Sequence, residues 1–97
     1  MIESFAQVLM LKELYPMAFN TERLKTFHGL QDLFAVSSTE LAKNGFYFAG
    51  SFEEPDLVRC AFCRGTAKEW KSEDIVPLEH ARLFPACPVF GAQVEDT

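Results

Sequence analysis

Apolar residues recur at roughly helical spacing from the start of the chain: Ile2, Phe5, Val8, Leu9 and Leu11 form a stripe over residues 2–15 before Pro16 ends the run. This predicts an amphipathic helix that buries its stripe against its own domain, or against a partner or second copy of the chain. Asn20 or Thr21 is placed to cap a second helix in which Leu24 and Phe27 share a face. Ser37 followed three residues later by Glu40 is a capping-box pattern for a third. Asn44-Gly45 stops that helix, because glycine takes the left-handed closing conformation without a Cβ clash.

The pattern then changes period. Phe46-Tyr47-Phe48-Ala49 and Leu57-Val58-Arg59-Cys60-Ala61-Phe62 are aromatic or β-branched runs separated by Gly50, Pro55 and Asp56, the mark of a hairpin with a loop of some length. Cys63-Arg64-Gly65 reads as a tight turn before a third short strand leading into Trp70. After the capping cluster Ser72-Glu73-Asp74, residues 77–84 offer an early proline and a helical face ending before Pro85, with His80 inside the helix. Residues 91–97 are polar and acidic without a period and are expected to fray.

Composition narrows this to one small folded unit. The chain has 97 residues, 48% of them hydrophobic and ten of them Phe, which is room for one domain and too apolar for a disordered tail. A core of this size leaves little stability net of chain entropy, so domains of this scale often add disulfides or a metal. Three Cys cannot close a disulfide framework, and Met1 is followed by no basic region, long apolar core and cleavage site, so a reducing, cytoplasmic setting is expected. Lys12, Glu13 and Pro16 interrupt the most apolar stretch well short of the ~20 residues a membrane-spanning helix needs. With a net charge of -5 and no Lys/Arg stripe, the chain is a poor reader of nucleic acid, and basic peptides or protein surfaces are the expected partners.

All three cysteines fall into one spacing pattern with a histidine. Cys60 and Cys63 are separated by two residues on a strand and turn, His80 follows after sixteen more, and Cys87 after a further six. A turn of this kind aims two thiolates at one ion, and a helix with the loop behind it closes the tetrahedron with an imidazole and a third thiolate. Four protein ligands leave no open position, so one zinc is expected as a structural ion, not as a Lewis acid or hydroxide source. A thioredoxin-like use of Cys60-Ala61-Phe62-Cys63 does not suit a motif that ends a strand, and a nucleophilic Cys/His pair does not suit metal-bound thiolates. No enzyme is therefore expected. Three Cys and two His are also too few for a two-zinc RING ligase module. The other histidine, His28, is read as a helix-surface or packing residue, or as a partner contact.

These residues together resemble a known family. Arg23-Leu24-Lys25-Thr26-Phe27, then Leu41-Ala42-Lys43-Asn44-Gly45-Phe46-Tyr47-Phe48-Ala49-Gly50, then Val58-Arg59-Cys60-Ala61-Phe62-Cys63, Trp70, Glu79-His80 and Phe84-Pro85-Ala86-Cys87-Pro88 are similar to the BIR (baculoviral IAP repeat) module of inhibitor-of-apoptosis proteins. The likeness covers about residues 20–91, leaving residues 1–19 as an N-terminal helical extension and 92–97 as an acidic tail. It implies a compact α+β fold, short helices around a three-stranded antiparallel sheet with one structural zinc, and architectural roles for Arg23, Gly45 and Trp70.

The resemblance also implies a non-enzymatic interaction module in the control of cell death. Many BIR modules bind the free N-terminus of peptides beginning with Ala, on caspases or on their antagonists, beside the third strand and the helix after it. Carried over by motif, the peptide-binding positions are Ala67, Lys68, Trp70, Asp74, Glu79 and Leu83. Thr66 and Leu83 stand where deep-grooved members carry a glycine and a large aromatic, Asp74-Ile75-Val76-Pro77 interrupts the usual Asp-Pro, and the loop from Gly50 to Asp56 is longer than usual. No Trp-Pro follows Phe27. These departures resemble groove-poor BIR scaffolds that bind signalling adaptors or self-associate, here through the N-terminal helix and the Thr26 to Leu33 surface.

Overall fold

A computed structural model describes the backbone of residues 5–89 and the side chains of residues 10–89. Helix α1 (Phe5–Leu14) is followed by a 3-10 turn at Pro16–Ala18, then α2 (Asn20–Lys25), a second 3-10 turn at Gln31–Leu33, and α3 (Ser38–Lys43). Strands β1 (Phe46–Phe48), β2 (Val58–Cys60) and β3 (Thr66–Ala67) form one antiparallel sheet in the order β1-β2-β3, and α4 (Val76–Leu83) completes the fold. Phe46 pairs with Cys60 and Phe48 with Val58, while Val58 pairs with Ala67 on its other side. This is the α+β architecture that the resemblance implies.

The helix starts follow local chemistry only in part. Ser37 caps α3 as expected, its hydroxyl accepting from the Glu40 amide at 3.3 Å, and Gly45 takes φ +95° just past the helix end. A Cβ at Gly45 would sit 3.0 Å from Val89 and 3.4 Å from the Cys60 sulfur, so close packing adds to the backbone's need for glycine. Neither Asn20 nor Thr21 caps α2: the capping position is Phe19, with no side-chain bond, and Asn20 is already helical. The Ser72-Glu73-Asp74 cluster likewise does not cap α4, which starts after Ile75; Asp74 instead closes its own turn by accepting from the Lys71 amide at 2.8 Å.

Leu24 and Phe27 do not share a buried face, because α2 ends before Phe27 and the chain turns. Phe27 goes fully into the core and Leu24 stays outside, while the buried residue of α2 is Arg23. The Arg23 guanidinium donates from Nε to the Ala42 carbonyl at 2.8 Å and from Nη1 to the Met17 carbonyl at 3.0 Å, and it lies 5.5 Å from the centre of the Phe62 ring. It thereby joins the first 3-10 turn, α3 and the segment after β2, its planar fork donating in two fixed directions while its face lies toward the ring.

Phe27, Phe34, Leu41, Phe46, Val58, Trp70 and Val76 build the core between the helices and the sheet. Its rings meet edge to face, Phe27 on Phe34 at 5.4 Å and Phe46 on Trp70 at 5.9 Å, the arrangement their quadrupoles favour. The described side chains at the end of α1 lie outside this core. Met10, Leu11 and Leu14 of the helix are exposed, as is Tyr15 after it, while Lys12 reaches over the Phe19 ring. Burial of Phe5, Val8 and Leu9 concerns side chains outside the described residues. No helix among the described residues is long and apolar enough to cross a membrane.

Candidate functional site

Cys60 ends β2, Cys63 lies in the turn after it, His80 sits in the middle of α4 and Cys87 in the loop beyond. One ligand atom from each lies within 4.8 Å of all the others. The sulfurs of Cys60 and Cys87 are 3.5 Å apart, close to the roughly 3.8 Å edge of a tetrahedron with Zn–S bonds of about 2.3 Å. The turn is shaped for this purpose. The Phe62 amide points at the Cys60 sulfur at 3.3 Å and the Gly65 amide at the Cys63 sulfur at 3.4 Å, so backbone dipoles stand ready to stabilise thiolates.

Burial opposes ionisation of the Cys60 and Cys87 thiols. Burial pushes the Cys60 thiol up to about 12 against the pull of the Cys63 and Phe62 amides, and burial also raises Cys87. Burial lowers His80, partly offset by the backbone of Asn44, and this leaves the imidazole neutral as a ligand must be. The ring is packed 4.3 Å from that of Phe46 and edge-on to Phe84. Two buried thiols, a half-buried third and a buried imidazole at ligand distances are the donor set of a Cys3His zinc site, and all four residues singled out in the sequence come together in it.

Zinc in this position joins β2 and its turn to α4, and the cleft between β3 and α4 lies beside it. This cleft, of about 530 Å³, is lined by Thr66, Ala67, Lys68, Glu69, Trp70, Lys71, Asp74, Glu79, Arg82 and Leu83. The structure thus gathers Ala67, Lys68, Trp70, Asp74, Glu79 and Leu83 around one opening. Trp70 and Ala67 are buried at its floor and Leu83 is partly exposed at its edge. Because β3 is an edge strand, its outward backbone groups are not used by the sheet.

Charge in the cleft is already partly engaged. Glu79 holds Arg82 through one carboxylate oxygen, at 2.7 Å from Nη2 and 3.2 Å from Nε, and this raises the guanidinium. Lys68 is bound to Glu54 of the β1–β2 loop, which raises its ammonium.

Two residues of this region escape a reading of the sequence. Asp56 accepts from the amides of Glu69 at 3.0 Å and Trp70 at 2.9 Å, one with each oxygen, and holds the kink at Glu69, whose φ is +60°. That clamp sets where the indole enters the cleft floor. Arg82 occupies a carboxylate of the cleft from one turn along the helix. The spacing of Glu79 and Arg82 on a helix is a legible signal for the second; nothing in the sequence signals the first, whose partners lie 13 and 14 residues away.

The chain matches the family model "BIR: Inhibitor of Apoptosis domain" over residues 23–91. It is 39% identical over 90 residues to human baculoviral IAP repeat-containing protein 3, covering 91% of this chain and 14% of that protein. It is also 39% identical over 71 residues to rat E3 ubiquitin-protein ligase XIAP, covering 73% of this chain and 14% of that protein. The chain therefore spans only a small part of the length of these relatives. A solved structure of the DIAP1 BIR1 domain bound to a Grim peptide superposes with a TM-score of 0.62 and 37% identity, covering 75% of this chain and 71% of that one. An autoinhibited dIAP1-BIR1 domain gives 0.67 and 32%, covering 80% and 76%. With the zinc ligands, the sheet order and the matched span in agreement, the chain belongs to the BIR family of inhibitor-of-apoptosis domains.

Proposed function

We propose that this chain is a non-enzymatic interaction module that binds the free N-terminus of Ala-type peptides, on caspases or their antagonists, in the cleft beside β3, and so restrains apoptosis in the cytoplasm. The observation that carries this is the convergence of Ala67, Trp70, Asp74, Glu79 and Leu83 on one opening at a sheet edge. The similar domain solved with a Grim peptide supports it. A peptide adding as a further strand pairs its backbone with β3, its first methyl meets Trp70, and its ammonium is received by the carboxylates of Asp74 and Glu79. Zinc supplies no step. Bound by Cys60, Cys63, His80 and Cys87, it keeps the two walls of the cleft in register.

Arg82 sets the affinity. An incoming ammonium competes with its guanidinium for Glu79, while Asp74 still offers the oxygen that the Lys71 amide does not take. Titrating an Ala-starting peptide against the same peptide N-acetylated tests the reading. The free form is expected to bind and the acetylated form to lose at least tenfold, as for a charged hydrogen bond worth about 2 kcal/mol. Equal affinities, or no binding of the free form at millimolar concentration, overturn it.

A second reading is a scaffold that binds signalling adaptors or self-associates through α1. It is favoured by the exposure of Met10, Leu11, Leu14 and Tyr15 at the end of α1, where Lys12 lies over the Phe19 ring. Deleting residues 1–16 then lowers the mass in solution while leaving peptide binding in place.

A further inference from the structure

Phe52, between β1 and β2, is 100% exposed. A single exposed apolar side chain is ordinary; one held at the tip of a fixed turn is not. The Ser51 amide donates to the Glu54 carbonyl at 3.0 Å, the Glu54 amide to the Ser51 hydroxyl at 3.2 Å, and the Leu57 amide to the Glu54 carbonyl at 3.3 Å. The Glu54 carboxylate is anchored by Lys68, and Gly50 lies so close to the Glu54 carbonyl and the Phe48 ring that a Cβ there would stand 2.7 and 2.8 Å from them. The turn therefore presents an aromatic ring with Glu53 beside it and has little conformational freedom left to lose on contact. A preorganised aromatic anchor is the usual form of an interface hot spot.

The same chain carries a fitting socket. Between α2 and α3 lies a cleft of about 800 Å³, lined by Leu24, Lys25, His28, Gln31 and the hydroxyl residues Ser38 and Thr39, among others. Its lining is mainly apolar, with Leu24 38% exposed, and its rim carries the Lys25 ammonium and the His28 imidazole. Lys25 gives one donor to Glu22 at 3.0 Å and remains largely solvent-exposed. The Leu24 side chain offers apolar surface to a phenyl ring, and the Lys25 ammonium on the rim complements the charge of a Glu53 carboxylate carried beside it.

We propose that Phe52 of one copy docks into the Leu24–His28 cleft of a second copy. Knob and socket are different patches, so the contact is heterologous, and each pair keeps one free knob and one free socket for extension. None of these socket residues belongs to the peptide cleft, so the contact stands whether or not that cleft binds peptides.

Backbone amide NMR of the full zinc-loaded chain tests this. Raising the concentration into the millimolar range should shift two separate sets of amides, Ser51–Glu54 and Leu24–Gln31. Phe52→Ser should abolish both shifts and weaken the association at least about tenfold. Both Phe52→Ser and Leu24→Glu alter exposed side chains, so zinc content and melting serve as folding controls. The decisive arm is complementation. Unlabelled Leu24→Glu, which keeps its knob, should shift the Leu24–Gln31 amides of labelled Phe52→Ser, whereas unlabelled Phe52→Ser should not. Concentration-independent spectra of the wild type, or a mixture that leaves the socket unmoved, overturn the proposal; shifts that survive Phe52→Ser assign self-association to another face and overturn it equally.

Discussion

At the scale of single residues, the sharpest constraints come from positions where a side chain has no room or no substitute. A Cβ at Gly65 would lie 2.4 Å from the Phe84 ring, which packs against the core and His80. Gly65→Ala should therefore cost about 1–3 kcal/mol as overpacking, lowering the melting temperature by several degrees with zinc content retained. Asp56→Ala removes two charge-assisted bonds from the Glu69 and Trp70 amides and should cost about 2–3 kcal/mol. Asp56→Asn, which keeps one carbonyl acceptor, should cost less. In the peptide cleft, Asp74→Ala should weaken an Ala-starting peptide at least tenfold, Arg82→Ala should strengthen it by freeing Glu79, and Leu83→Trp should strengthen it by adding an aromatic wall, all read by calorimetric titration. The metal ligands could be named from spacing, and Ala67, Lys68, Trp70, Asp74, Glu79 and Leu83 of the cleft, with Arg23 as an architectural position, from family likeness. The clamp of Asp56 and the carbonyl partners of Arg23 could not, because each is brought together only by the folded chain.

Among the elements, α3, the hairpins and α4 were legible because each carries its own signal: a cap, a glycine stop, a change of period or a helix-compatible proline. Where a local signal competed with packing, packing won. Asn20 and the Ser72-Glu73-Asp74 cluster are good capping residues, yet α2 starts behind Phe19 and α4 behind Ile75, because burial of Phe19 and Val76 sets where each helix begins. The zinc site links elements that touch little otherwise, and its proton balance follows from burial. Burial raises the Cys60 thiol from 9.0 to about 12 and so opposes loss of the proton that a zinc ion has to displace. His80 is lowered, so its contribution is present above its unfolded value of 6.5 and is lost as the pH falls below it. Zinc must displace the thiol protons, and its apparent affinity should rise roughly tenfold per pH unit for each proton released. Chelator competition between about pH 6 and pH 8 measures that slope, and a flat profile would show that the thiols are not the ligands.

For the molecule as a whole, a radius of gyration of 13.7 Å describes a domain too small to rely on its apolar core alone. Stripping zinc at neutral pH, or Cys87→Ala, should unfold the domain cooperatively, with loss of near-UV dichroism; a metal-free chain that kept its native signal would refute the structural role of the ion. The ligands also have an order in time. Cys60 and Cys63 are made first of the four, and Cys87 is the last ligand, twenty-four residues after Cys63. At ribosomal speeds of about 5–20 residues per second, a growing chain spends on the order of one to five seconds with an open dithiol turn and an unfinished core. The nascent domain is thus most exposed to oxidants and to metal shortage during its own synthesis, and a chelator added during translation should reduce soluble yield more than the same chelator added after release.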